Sequence, residues 1–377
     1  MKEEIVTKTI ESLRFPLTVG IVFIHFSLAD GLNIHGVSHG LDNPDWFFNI
    51  VNLISEVVAR ICVPLFFMIS GFLFFYKVRF DKDIYIRKLK SRVRTLLIPF
   101  LIWNAIAIAW QLKGNLPIVS GFYHPMEVHI TFNRVFNTFF CNSGNAGIIV
   151  SSASTGDNFQ EVYPINVPLW YVRDLMMLVV ISPVVYWMIK KIEMLFLMAL
   201  CLIWFVGPRI SVGGGIFSTI YISVFFFSSG AFFSINCINI VTVFRKLKFV
   251  PFLYGVMALA DTFTKNMAYN PLIHKMGIII GIISIVQIAS LLYEKGKAGI
   301  FISLSKGSFF IFAVHYLIIK ELGKTIFMLF HIPENNPYAM IALYLIVPTL
   351  CICICLVLYN LLLKFLPSLC RLLTGGR

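Results

Sequence analysis

Long apolar runs separated by short polar links dominate the chain. They cover roughly 13–32, 49–76, 95–112, 168–189, 192–207, 216–235, 249–263, 272–293, 299–319 and 339–363. A helix needs about 20 apolar residues to cross a hydrocarbon core. The pattern therefore predicts an all-α polytopic membrane protein with about ten transmembrane helices. The runs at 192–207 and 249–263 are the shortest, and those at 168–235 admit other divisions. The region 113–167 stands apart, with Pro117, Gly121, His124, His129, Gly144, Gly147 and the polar run Ser151 to Gly156. A link of that length marks a functional or disordered loop. No internal repeat and no second soluble domain is evident, so residues 1–377 read as one transmembrane domain.

Charge orients this pattern. Lys2, Lys8 and Arg14 precede the first run; Lys77, Arg79, Lys82, Arg87, Lys88, Lys90, Arg92 and Arg94 follow the second. Lys190 and Lys191, then Arg245, Lys246 and Lys248, then Lys295 and Lys297 fall in alternate links, and Lys364, Arg371 and Arg377 lie in the tail. The intervening links hold few cations. Basic links stay on the cytoplasmic side, which places both termini there and 113–167 outside. The first run has no small-residue cleavage pattern and reads as a retained span rather than a signal peptide.

Composition agrees. Hydrophobic residues make up 58% of the 377 and charged residues only 13%, against about 25% charged in soluble domains. Soluble enzymes, disordered chains and secreted disulfide scaffolds are excluded on that ground. The net charge of +13 is accounted for by topology and needs no nucleic acid. The eight cysteines include no C-x-x-C pair, and Cys351, Cys353 and Cys355 alternate around a helix. They read as small apolar residues and imply no metal site.

Ionisable residues inside a span are costly and mark candidate sites. Arg14 and His25 are separated by ten residues, roughly 16 Å along a helix. This puts Arg14 at the cytoplasmic interface and His25 near mid-depth, where a neutral imidazole can take a proton from a hydroxyl. Glu56 and Arg60 have the spacing and order of a helical ion pair; Arg60 would hold an anionic donor or a developing oxyanion. Pro64 should kink that span, and Ser70-Gly71 should permit close backbone approach. Trp170 reads as an interface anchor. Arg173 and Asp174 are adjacent and so should face different partners, with Asp174 a candidate orienter for a histidine. His315 lies inside the ninth run. Arg92 and Arg94, at the mouth of the third, could bind phosphates by charge-assisted bonds.

These residues resemble acyltransferase family 3, membrane proteins that O-acylate bacterial glycans. The Arg-x10-His of that family's first span is matched by Arg14 and His25. Its V-P-x-F-F-x-x-S-G-F-x pattern is matched by Val63 to Leu73, and its basic residues before a proline by Arg92-Val-Arg94 and Pro99. Trp170 to Leu175 and the aromatic run 308–316 with His315 are similar to further family segments. The chain has Arg-x-Arg where many members have Arg-x-x-Arg, and Asp174 where many have Glu. The resemblance implies an O-acyltransferase with a cytoplasmic acyl-CoA donor, most often acetyl-CoA, and a glycan or lipid-linked sugar as acceptor. No permanently bound cofactor is implied. It casts His25, Asp174 and His315 as catalytic candidates, with Arg14, Glu56, Arg60, Ser70, Arg92, Arg94, Trp170 and Arg173 lining the substrates. His25 would act as general base or transient acyl carrier. A transporter of glycan or lipid-linked sugar would use the same buried polar residues to line a path, without chemistry.

Overall fold

The computed structural model describes residues 2–34, 37–115, 127–141, 149–150, 163–207 and 219–376. Much of the expected outer loop at 113–167, including the run Ser151 to Gly156, lies outside them. Helix dominates. In chain order the elements are α1 (Lys2–His25), the hairpin β1 (Leu32–Ile34) and β2 (Val37–His39), α2 (Asp45–Val51) and α3 (Cys62–Phe75). Then come α4 (Lys82–Arg92), α5 (Ile98–Gln111), β3 (Glu127–Val128), α6 (Phe132–Phe140), β4 (Ile149–Val150), α7 (Trp170–Val206) and α8 (Ile220–Ile235). The rest are α9 (Ile240–Arg245), α10 (Val250–Phe263), α11 (Asn270–Glu294), α12 (Gly299–Leu304), α13 (Ser308–Leu329), α14 (Pro337–Phe365) and α15 (Pro367–Thr374).

Each of the ten apolar runs falls largely on helix. Among the described residues, five stretches are long and apolar enough to cross a membrane: Asp45–Phe75, Lys82–Gln111, Asn270–Glu294, Gly299–Leu329 and Pro337–Phe365. Helices α8 and α10 are apolar but shorter. Large apolar side chains lie bare on their outer faces, among them Val184 and Leu202 of α7 and Phe252 of α10. In water such faces would drive association; lipid is their natural solvent. The protein is a nearly all-α integral membrane protein.

Several boundaries differ from the sequence pattern. Helix α1 begins at Lys2 and ends at His25, not at residue 32. Phe26, Leu28 and Leu32 are buried although they lie beyond the helix, Leu32 in β1 itself, and the chain turns at Gly31 with φ +75°. The basic link after α3 is largely helix α4, started by an Asp81 side chain that accepts from the Ile84 N–H at 2.8 Å. The Lys190-Lys191 boundary corresponds to a break inside α7, where Glu193 takes φ +44°. The ninth run continues as helix to Leu329, so His315 sits mid-helix.

Two of the long helices widen into π turns among the described residues. Residues Asn52–Val58 form π-helix and Ala59–Ile61 form 3-10 helix, just before Pro64; Val93–Leu97 form π-helix just before Pro99. Proline has no N–H, so the carbonyl four residues earlier loses its α-helical partner: Arg60 in one case, Thr95 in the other. Proline is not sufficient, because Pro16, Pro183 and Pro348 also lie inside helices. Such wide turns recur at functional sites.

The described residues form two compact units, Met1–Lys77 with Ser229–Phe365, and Val78–Ser228 with Leu366–Arg377. In the first, α1 packs on α3, α11, α12 and α13, while α10–α11 and α13–α14 are helical hairpins. A Cβ at Gly230 would run into the backbone carbonyl of Met68. Only glycine allows α8 to seat on the Met68–Phe72 turn of α3, so the close approach expected at Ser70-Gly71 is made by a glycine from elsewhere. In the second unit, α5 meets α15 through Trp103 Nε1, which donates to the Leu373 carbonyl at 2.9 Å. Helix α4 meets α7 through Tyr85, whose hydroxyl donates to the Val180 carbonyl at 3.0 Å.

Candidate functional site

In the first unit the last residue of α1 meets the middle of α13. The His25 ring lies 5.3 Å from that of His315 and 5.2 Å from that of Tyr316, centroid to centroid. The two histidines differ in setting. His315 is fully buried, whereas His25 is partly exposed. His315 Nδ1 lies 3.0 Å from the Ile311 carbonyl. A carbonyl can only accept, so Nδ1 must carry the hydrogen. Neutral His315 then presents Nε2 as a bare acceptor, and that atom is buried without a hydrogen-bond partner among the described residues. A buried acceptor left unpaired costs stability, and this one lies beside a second imidazole. Arg60 and Lys320 lie within electrostatic range of the His25 ring, and Lys320 Nζ sits 5.3 Å from the Tyr316 ring.

Two residues not singled out from the sequence hold His25 in place. Ser55, fully buried in the π turn, donates to the Phe23 carbonyl at 2.8 Å and lies 2.7 Å from the Tyr344 hydroxyl. Serine has one hydrogen and spends it on Phe23, so Tyr344 must donate to Ser55. Phe23 is in the final turn of α1, and its carbonyl also accepts from the Phe26 N–H at 3.3 Å. Ser55 and Tyr344 thus cap the helix end that carries His25, and the Phe23 ring adds an edge contact with Tyr344 at 5.6 Å. A serine in an apolar helix is common; only the wide turn makes this one informative. Gly323 of α13 completes the fit, since a Cβ there would strike the Phe26 ring.

The remaining candidates of this unit are more open. Arg60 donates through Nε at 3.1 Å and Nη2 at 2.6 Å to one oxygen of Glu56. With Arg60 exposed and Glu56 partly so, the pair itself contributes at most about 1 kcal/mol, and the guanidinium keeps donors to spare. Arg14 is exposed, its guanidinium without a partner among the described residues, and eleven residues from His25. Ser70 is half-buried in α3.

The second unit holds Arg92, Arg94, Trp170, Arg173 and Asp174. Arg94 is exposed and Arg92 half-exposed, on either side of the π turn's start. Trp170 opens α7, its ring 6.2 Å from that of Tyr163. Arg173 and Asp174 do not face apart, as adjacency suggested. The long Arg173 side chain folds back so that Nε and Nη2 donate to Asp174 Oδ1 at 3.0 and 2.8 Å. Arg173 also donates to the Phe140 carbonyl at the end of α6 and to Thr219. Thr219 and Ser223 donate to Asp174 Oδ2 at 2.6 and 2.8 Å. Both charges are fully buried, and none of the Asp174 partners is a histidine.

The arrangement joins a partly open imidazole, a buried proton acceptor, a spare guanidinium and a lipid-facing exterior. Comparison with known proteins places it. No solved structure matches the chain significantly. The Succinoglycan biosynthesis protein ExoH of Rhizobium meliloti (strain 1021) is 28% identical over 386 aligned residues, covering 99% of this chain and 93% of that protein. The family model described as "Acyltransferase domain" matches residues 8–359, from the first helix to the last long one and through both histidines. The chain belongs to acyltransferase family 3.

Proposed function

We propose that this protein is an O-acyltransferase of the bacterial inner membrane that moves an acyl group, most simply acetyl, from cytoplasmic acyl-CoA to a hydroxyl of an exported glycan. One observation carries the reading: a partly open His25 fixed at a helix end against the buried acceptor His315. In the proposed step His25 takes the proton from the acceptor hydroxyl while the oxygen attacks the thioester carbonyl. The C–S bond then breaks, the ester forms, and the proton passes from His25 to the departing CoA thiolate. His315 Nε2 supports the imidazolium while it exists. Arg60 faces the developing oxyanion, with Glu56 holding its orientation. In the first unit Arg14 serves the CoA phosphates and Ser70 lines the substrate; in the second, Arg92, Arg94 and Trp170 keep a substrate-binding role, whereas Arg173 and Asp174, buried and paired with each other, hold the structure. The name of the succinoglycan protein supports a polysaccharide acceptor.

The donor assignment has a direct test. Purified protein in lipid should release CoA from acetyl-CoA in the presence of acceptor. In Arg14→Ala the KM for acetyl-CoA should rise about 10- to 150-fold, the equivalent of a charge-assisted bond of about 1.5–3 kcal/mol. A rise confined to the acceptor KM puts Arg14 on the other substrate. Glycan movement with no CoA release would make the protein a transporter.

The proposed topology has ten crossings: α1, α2–α3, α4–α5, the two parts of α7, α8, α10, α11, α12–α13 and α14. Both termini are then cytoplasmic. In a background with all eight cysteines replaced, Asp42→Cys should react with a membrane-impermeant thiol reagent in intact cells. Ser91→Cys should react only after permeabilisation. Both side chains are exposed, so a reversed pattern means an inverted chain.

A further inference from the structure

The end of the first unit beyond His25 carries a group of side chains that the transfer chemistry leaves unused. Trp46, at the start of α2, and Tyr338, at the start of α14, are exposed and in ring contact at 5.4 Å. Four positions before Tyr338, Glu334 Oε2 forms a half-open pair with His39 Nδ1 at 2.7 Å. Asn43, more than nine-tenths buried, donates through Nδ2 to the Gly40 and Glu334 carbonyls at 2.7 and 2.9 Å. Two carbonyl partners fix which amide atom is nitrogen. Asn43 Oδ1 is then an acceptor, and it is buried without a partner among the described residues.

Each feature alone has an ordinary account, the aromatics as an interface belt above all. Together they carry the two halves of sugar recognition. A pyranose offers an apolar C–H face that stacks on an aromatic ring, and hydroxyls that need both donors and acceptors. The Asn43 acceptor lies three positions before Trp46, and the Glu334 carboxylate, with its His39 partner, four positions before Tyr338.

Their place relative to His25 adds a third argument. Trp46 and Ser55 share one continuous helix, nine residues apart; Tyr338 and Tyr344 share α14, six apart. Because Trp46 touches Tyr338 and Ser55 touches Tyr344, the two helices run side by side in the same direction. The aromatic pair therefore stands about 9–13 Å beyond the hydroxyl pair that caps the His25 helix, a span that a few linked sugars bridge.

We infer that Trp46 and Tyr338, with His39, Glu334 and Asn43, form a saccharide subsite that holds the acceptor glycan while one of its hydroxyls reaches His25. The inference rests on the acyltransferase reading only for that last clause; binding itself does not depend on it.

The experiment measures saccharide binding and transfer separately. The probe is a set of fluorescently labelled oligosaccharides released by mild acid from the surface polysaccharide of the producing cells. Wild-type protein in nanodiscs should bind a fragment, and Trp46→Ala and Tyr338→Ala should weaken binding at least tenfold. Trp46→Phe and Tyr338→Phe keep a ring and should retain most of it, which guards against misfolding of the alanine variants. His25→Ala should bind like wild type. In transfer assays the alanine variants should raise the acceptor KM and leave the acetyl-CoA KM unchanged. Unaltered binding and acceptor KM in both alanine variants overturns the subsite, as does failure of the wild type to bind any fragment. Fragment binding without transfer would instead overturn the acyltransferase reading and leave the subsite standing.

Discussion

Exchange of His25 for alanine is expected to lower acyl transfer by about 10²- to 10⁴-fold, the usual loss for a general base. The KM for either substrate should move little, because His25 is assigned to the reacting proton rather than to binding. His25 is partly exposed and forms no hydrogen bond to a described residue, so its loss should leave the fold intact. Detergent-solubilised variant and wild type should therefore melt within a few degrees of each other. The variant also uncovers the role of Ser55. If Ser55 and Tyr344 act only through His25, adding Ser55→Ala to His25→Ala should change residual transfer less than it does in the wild type. Transfer near the wild-type rate by well-inserted His25→Ala protein would remove the centre of the mechanism.

Arg173→Ala should act on stability first. The substitution leaves the Asp174 carboxylate buried with two hydroxyl donors and no counter-charge, and deprives the Phe140 carbonyl of its donor. Breaking a buried pair by removing one partner costs about 3–5 kcal/mol, a large share of the stability of an ordinary fold. Low yield and a sharply lowered melting temperature are expected. Replacing both charges, as Arg173→Met with Asp174→Leu, should recover much of the loss, since well-packed apolar pairs often substitute for buried ion pairs. Normal melting of Arg173→Ala with a raised substrate KM would return Arg173 to the substrate-lining role that its sequence neighbourhood suggested.

The parts of this molecule legible in the sequence are those set by bulk solvation. Apolar runs located the helices, and the histidine and arginine spacing of the first run pointed to the family. Helix ends were less legible, because a buried loop residue such as Leu28 looks the same as a helical one. Partnership was least legible. Arg173 and Asp174 are neighbours on a helix and pair only because an arginine is long enough to fold back. Ser55 and Tyr344 are 289 positions apart, and their meeting depends on the packing of α14 against the wide turn. His315 was visible as a mid-membrane imidazole, but its tautomer follows from Ile311 four residues earlier, a relation that every helical residue has and few use.

The wide turn at Asn52–Val58 has a further consequence, for insertions and deletions. A π turn takes up one residue more than an α turn for about the same rotation. Removing a single residue between 52 and 58 should therefore let the segment relax to an α-helix while the parts before and after it stay nearly in phase, with Trp46 still at Tyr338 and Arg60 in place. The cost falls on the turn itself, where the contact of Ser55 with Phe23 and Tyr344 is disturbed. The same deletion inside α3 has no spare residue to give up and would rotate its two sides against each other by about 100°. A one-residue deletion is thus expected to be far less damaging at 52–58 than one turn later in the same helix.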